Sequence, residues 1–313
     1  SISDFISGDS SSGYTLKQET KDILAADSDV KLILSTEFKT ADNIDQLNFI
    51  AGKHTAGVTK ATIVTGKANL DGTTKTLTTG SGDDITITIS DAAPLSLYAT
   101  LTGKTTSTVT FDQGMTGKVE DFATATDATS ALKAAVNDNA GKNITLDESV
   151  VAGKLANLNA LSAYTGHTGT VVGQFSGKLS EIDESALKTA SHNINFNISE
   201  KVTGASSSDV SKINDIAGKT QGDITASLTG TAAVLKALTT NTDDTLTLEA
   251  TGPSKLEDAI ALAAKTKSIS SITIKNISDG IDKLTGSTVS DSATGLTELK
   301  AAAGVGSTKA QGI

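Results

Sequence analysis

An apolar stripe at helical spacing, followed by an apolar run at period two, recurs along most of the chain. This recurrence constrains the fold more than any other feature, because the two spacings mark an amphipathic helix and a half-buried strand. Ile44, Leu47 and Ala51 precede Ala61 and Ile63, and Leu132, Ala135 and Val136 precede Ile144 and Leu146. Leu155, Leu158 and Ser162 precede Val171 or Val172 and Phe175, and Leu179, Ile182 and Ala186 precede Ile194, Phe196 and Ile198. Val210, Ile213 and Ala217 precede Ile224, Ala226 and Leu228. Near the N-terminus, Ile23 and Leu24 precede Val30, Leu32 and Leu34.

The stretch Thr229 to Gly252 shows one unit clearly. Thr231 is placed to cap a helix carrying Val234, Leu235 and Leu238. Leu246, Leu248 and Ala250 then alternate with Thr245, Thr247 and Glu249. Thr229-Gly230 and Thr251-Gly252 are expected to be equivalent corners of successive turns. In the next unit Ser254 and Glu257 have capping-box spacing, ahead of a stripe at Leu256, Ala259, Ile260 and Ala263 and a strand at Ile272, Ile274 and Ile277. Between residues 66 and 115 the helical pattern fades, and Ile85, Ile87, Ile89, Val109 and Phe111 read as strands joined by loops.

Ten strand centres between residues 33 and 273 give a mean repeat of about 27 residues, inside the range of roughly 20–45 residues for solenoids. One such helix and strand cannot bury enough apolar surface alone, whereas stacked units share a core. A crossover to the next parallel strand is right-handed in nearly all cases. The expected fold is therefore α/β: an elongated right-handed solenoid of degenerate helix–strand repeats over residues 15–280, more β-rich around 66–115. Residues 1–14 form an N-terminal segment, and 281–313 a terminal helix and Gly-rich tail. An α/β or all-β sandwich array with helices at its edges is the competing architecture.

Composition agrees with a thin core. Aromatic residues are 3% of the chain and tryptophan is absent, so burial must come from Ile, Leu, Val and Ala. Cysteine and arginine are both absent, and the net charge is −10. An acidic chain without arginine lacks the basic, base-stacking surface of nucleic-acid binders. No apolar run reaches the ~18 residues of a membrane span. The opening SISDFISGDS lacks the basic start and long apolar middle of a signal peptide, and Ser1 is expected of a processed chain or a piece of a longer one.

The unit from Thr229 to Gly252, with TGASSSDVSKINDIAGKTQGDITASLTG before it, resembles repeats of very large secreted proteins of marine bacteria and cyanobacteria. Those chains are rich in Thr, Ser, Gly, Ala and Asp, poor in Cys, and act at the cell surface as S-layer, motility-associated or adhesin-like proteins. The resemblance is one of composition and rhythm. It implies an extracellular scaffold and transfers no functional residue.

Candidate chemistry is sparse. His54, His167 and His192 fall in no metal-ligand or catalytic spacing, and no nucleophile elbow occurs. GVGSTKAQG, near the end, lacks the order of a phosphate-binding loop. Gly80, Gly82 and Asp83 resemble one copy of the calcium-binding nonapeptide of parallel β-rolls. Asp83, Asp84, Asp243 and Asp244 are thus the candidate ligands for calcium, against the plainer reading of solvated turns. Asn143, Asn197 and Asn276 each begin an N-I-[ST] sequon. Tyr14, Tyr98 and Tyr164 are too scattered to form a recognition patch.

These readings lead to a non-enzymatic, extracellular structural protein at the cell surface that assembles with copies of itself and requires no cofactor. Ile2, Phe5 and Ile6 make the N-terminus unusually apolar and are the expected assembly contacts. The alternative is an adhesin or phage-fibre segment that grips a glycan such as a cell-surface polysaccharide.

Overall fold

The computed structural model describes residues 1–54, 56–239, 244–263 and 271–277. It is a mixed α/β structure with mostly parallel sheets, and among the described residues none of them closes into a barrel. The chain divides into two compact units, residues 1–147 with 164–170, and 148–163 with 171 onward.

The first unit opens with an antiparallel hairpin, β1 (Ile6–Asp9) and β2 (Gly13–Leu16), followed by α1 (Gln18–Ala26). Then come β3 (Leu32–Phe38), α2 (Ala41–Lys53), β4 (Thr59–Thr65) and β5 (Asp84–Ile89). The short β6 (Ala93–Pro94) leads into α3 (Leu95–Thr102), β7 (Val109–Phe111) and β8 (Met115–Gly117). The unit continues through α4 (Val119–Phe122), α5 (Ser130–Asn139) and β9 (Ile144–Leu146). Strands β3, β4, β5 and β7 form a parallel sheet in that order, and β6, β8 and β9 pair in parallel.

The second unit contains β10 (Val150–Val151), α6 (Leu155–Ala163), β11 (Val171–Gly177), β12 (Asn193–Ile198) and β13 (Val202–Ala205). It goes on with α7 (Ser207–Ala217), β14 (Ile224–Gly230), α8 (Ala232–Leu235), β15 (Thr245–Ser254), α9 (Leu256–Ala263) and β16 (Ser271–Ile277). Strands β11, β12, β14, β15 and β16 lie side by side in parallel, with β10 beside β11 and β13 beside β14. Helix α8 packs on β15 and α9 on β16. Parallel paired strands sit at sequence offsets from 20, Thr225 with Thr245, to 29, Met115 with Ile144.

Burial follows the sequence pattern. Ile44, Leu47, Ile50 and Ala51 bury one stripe of α2, and Val210, Ile213 and Ile216 one stripe of α7. Ile85, Ile87 and Ile89 are all fully buried, while Asp84, Thr86 and Thr88 face away from the core. Thr40, Thr129, Ser206 and Thr231 each accept a backbone N–H at a helix start, so Thr231 caps α8 as its position indicated.

Five local expectations are corrected. Helix α3 stands where helices were expected to fade. Pro94 sets its start at φ −65°, and Leu95, Leu97, Tyr98 and Leu101 bury it. Leu179 and Ala186 lie on two 3-10 turns, with Ile182 in extended backbone between them, instead of on one α-helix. There the Asp183 carboxylate accepts from the Ser185 N–H and hydroxyl, and so offers the backbone an alternative to continuing a helix. Ser254 ends β15, and its buried Oγ has no hydrogen-bond partner among the described residues, so it does not cap α9. Finally, Gly230 pairs with Ala250, which sets Thr251-Gly252 two residues beyond the level of Thr229-Gly230. Beyond Ala250 the pairing of β15 with β16 is irregular as far as Pro253, and there Gly252 takes φ +79°, a left-handed conformation that glycine adopts readily. In addition, Ile23 on α1 is 47% exposed and is not part of a buried stripe. The expected helix and Gly-rich tail at 281–313 lie outside the described residues.

Candidate functional site

The candidate calcium ligands occupy different surroundings. Asp83 is buried, its Oδ1 accepting the Thr59 N–H at 2.8 Å and its Oδ2 the Gly80 N–H at 2.8 Å. Asp84 faces the other side of the sheet, where Lys31 and Lys60 approach its Oδ2 at 3.1 and 3.2 Å. Lys31 first, then Lys60, hold this carboxyl below the usual aspartate range. Asp244 is buried, and its Oδ1 accepts the Ile224 N–H at 2.8 Å. Asp243 lies outside the described residues. No group of three or more His, Asp or Glu side chains able to hold a metal occurs among the described residues.

Asp83 and Asp244 belong to a recurring arrangement. A buried N–H at or next to the end of a strand needs an acceptor, and here a side chain 20 to 28 residues further along the chain supplies it. Thr59 donates to Asp83, Ile85 to Thr105 Oγ1 at 2.8 Å, and Phe111 to Asn139 Oδ1 at 2.7 Å. In the second unit Val171 donates to His192 Nδ1 at 3.2 Å, Ile194 to Thr220 Oγ1 at 3.2 Å, and Ile224 to Asp244. All six acceptor side chains are buried. The His192 bond fixes its tautomer: Nδ1 accepts, so Nε2 carries the proton and lies 3.3 Å from the Ser162 carbonyl oxygen.

Two further arrangements recur. Asn48 on α2 donates to the Thr76 carbonyl and accepts from the Thr78 N–H, at 2.7 and 2.8 Å. Asn214 on α7 does the same with Ala237 and Thr239, at 2.9 and 2.8 Å. They occupy matching places in LNFIAGK and INDIAGK. Close backbone approach also repeats, for a Cβ on Gly169 would lie 2.3 Å from the Lys142 oxygen, and one on Gly222 2.5 Å from that of Ile194.

Sequence reasoning missed these caps and clamps. Their visible signal is slight: Asp83, His192 and Asp244 each stand immediately before a strand, and Thr105 and Thr220 four residues before one.

The apolar N-terminus is used within the chain. Ile2 and Ile6 are 8% and 4% exposed, and the Phe5 carbonyl accepts from the Lys17 N–H and the Thr20 hydroxyl at 3.0 and 2.9 Å. Of the expected assembly contacts, Ile2 and Ile6 are thus buried within their own chain, while Phe5 is half-buried.

A cleft of about 240 Å³ is lined by His54, Asp83, Thr78 and glycines 52, 57, 80 and 82. His54 Nδ1 sits 3.4 Å from Thr59 Oγ1, and its buried Nε2 has no partner among the described residues. Gly57 covers that nitrogen: a Cβ there would lie 2.3 Å from it.

Three outcomes follow from the first unit. Replacing Asp83 by Ala leaves the buried Thr59 N–H without an acceptor, while the exposed Gly80 N–H can turn to water, and should lower stability by about 1–3 kcal/mol in a denaturant melt. A chelator should leave the wild-type melting temperature unchanged, since both Asp83 oxygens are already engaged. The Tyr98 hydroxyl lies 3.1 Å from Asp138 Oδ2, and burial, followed by the Asp138 charge, pushes its pKa from 10.0 up to about 12. Because the folded value is raised, the associated stability is complete below pH 10 and is lost as pH rises towards 12. Alkaline melts of Tyr98→Phe should accordingly be flatter over that window than those of the wild type.

No helix among the described residues is long and apolar enough to cross a membrane. No family model matches the chain, and neither a curated protein nor a solved structure matches it.

Proposed function

We propose that the chain is a non-enzymatic structural protein whose helix–strand turns stack as a solenoid, and which assembles outside the cell into a surface layer or filament. The observation that carries this reading is the strand-end cap: six buried polar side chains serve the backbone of a neighbouring turn. Polar residues in the interior thus hold one turn to the next, which is the requirement of a scaffold in which each repeat contacts only its neighbours. The Asn48 and Asn214 clamps act in the same sense between a helix and the loop that follows in the next turn.

Placement outside the cell rests on composition and on the resemblance to secreted repeats. A net charge of −10 with lysine as the sole permanent cation suits a soluble, extended polymer. Negative-stain imaging of the purified chain should show ordered sheets or filaments. Isolated particles at every concentration would contradict the proposal.

A further inference from the structure

Parallel sheets are normally covered on both faces. In the second unit α8 and α9 lie on one face of β15 and β16, and the opposite face of the sheet carries short polar side chains. The strand registers arrange these side chains in rows. Ser176, Asn197, Thr225 and Thr245 form one row, and Ser227 and Thr247 lie in the next. Gln174, Asn197, Thr225, Ser227 and Thr245 make no side-chain hydrogen bond among the described residues. Across β11, β12, β14 and β15 the single charged outward residue is Glu249, and Lys201 neutralises it at 2.8 Å.

We propose that this face docks on the same face of a second copy, and so forms the lateral contact of the assembly. The inference rests on the self-assembly reading above and specifies its surface. Three properties favour a second copy as the occupant. The array has a fixed spacing, about 4.8 Å across strands and about 6.6 Å along them, and an identical array matches that spacing by construction. Hydroxyl and amide groups both donate and accept, so the face is complementary to itself. The face is electrically neutral, whereas a chain of net charge −10 repels its own copies elsewhere.

The four strands β11, β12, β14 and β15, of about six residues each, cover about 380 Å² per copy, or about 760 Å² for a pair. That is below the roughly 1,000 Å² of a stable specific contact, so one docking is weak and order comes from many dockings in series.

The test places charge on the face. Gln174 and Thr225 are exposed on β11 and β14, and Gln174→Lys with Thr225→Lys should weaken self-association at least tenfold by sedimentation equilibrium. Circular dichroism and melting temperature should stay those of the wild type. Gln174→Glu with Thr225→Glu should do the same, and it serves if the lysine pair fails to fold. Ser208→Lys, exposed on α7, should leave association unchanged. Wild-type association should persist in high salt. Equal association of the wild type and both face variants would overturn this surface and leave self-assembly standing. A wild type that stays monomeric would overturn self-assembly and this surface together. A monomer that binds a neutral polysaccharide through Gln174 and Thr225 would replace the occupant.

Discussion

Replacing Asn139 by Ala is expected to lower the stability of the first unit by about 3–5 kcal/mol, at about 1–3 kcal/mol for each buried polar group left without a partner. Asn139 is 1% exposed and makes three bonds. Its Oδ1 accepts the Phe111 N–H at 2.7 Å, and its Nδ2 donates to the Val109 and Ala135 carbonyls at 2.9 and 3.1 Å. The side chain therefore ties the end of α5 to β7 on both donor and acceptor sides. Alanine removes all three bonds and supplies no replacement. Asn139→Asp separates hydrogen bonding from packing. At neutral pH it keeps the acceptor for Phe111 but sets an anionic oxygen against two carbonyls. Protonation restores a donor, so the folded-state pKa of that aspartate is raised and its stability improves as pH falls. Denaturant melts of the three proteins at neutral and acid pH check both statements. An Asn139→Ala variant as stable as the wild type would refute the role given to the cap.

Phe196→Ala is expected to cost the second unit a similar amount, about 3–5 kcal/mol, from lost burial and the cavity left behind. Phe196 and Phe175 are fully buried, stand opposite each other on β12 and β11, and have ring centroids 5.5 Å apart. In a chain with 3% aromatic residues few other side chains can fill such a space. Phe196→Leu should cost less than about 1.5 kcal/mol, because it nearly conserves volume. Equal losses for the two variants would mean that ring packing, and not filled volume, sets the stability of this layer.

Most of the secondary structure was legible in the sequence, because burial here is periodic. Ile44, Leu47 and Ala51 could sit on one side of a helix only if that side met a core, and Ile85, Ile87 and Ile89 could alternate with Asp84, Thr86 and Thr88 only on a one-sided sheet. Helix α3 was missed because it is only eight residues long and opens Leu95-Ser96-Leu97, an alternation that mimics a strand, although Pro94 marked its start. Ser254 was misread because capping-box spacing records which residues could bond, whereas β15 runs on through Ser254 itself.

The polar interior was not legible. Asp83 and Asp244 looked like ion ligands because acidic residues before a strand are ordinarily solvated or metal-bound. Their partners, Thr59 and Ile224, stand 24 and 20 residues away. Only the strand register reveals that those N–H groups are buried and need an acceptor. The same distance in sequence hid His192, which accepts from Val171, and the clamp that Asn214 forms with Thr239. Ile2 and Ile6 illustrate a related limit, since an apolar N-terminus reads alike whether it docks on another chain or on its own.

Assembly without catalysis is the central claim, and sedimentation velocity over a wide range of protein concentration tests it most directly. The account predicts a boundary that moves faster as concentration rises and ends in large polymers, with little change on adding salt. A single monomer-sized boundary at every concentration would contradict it.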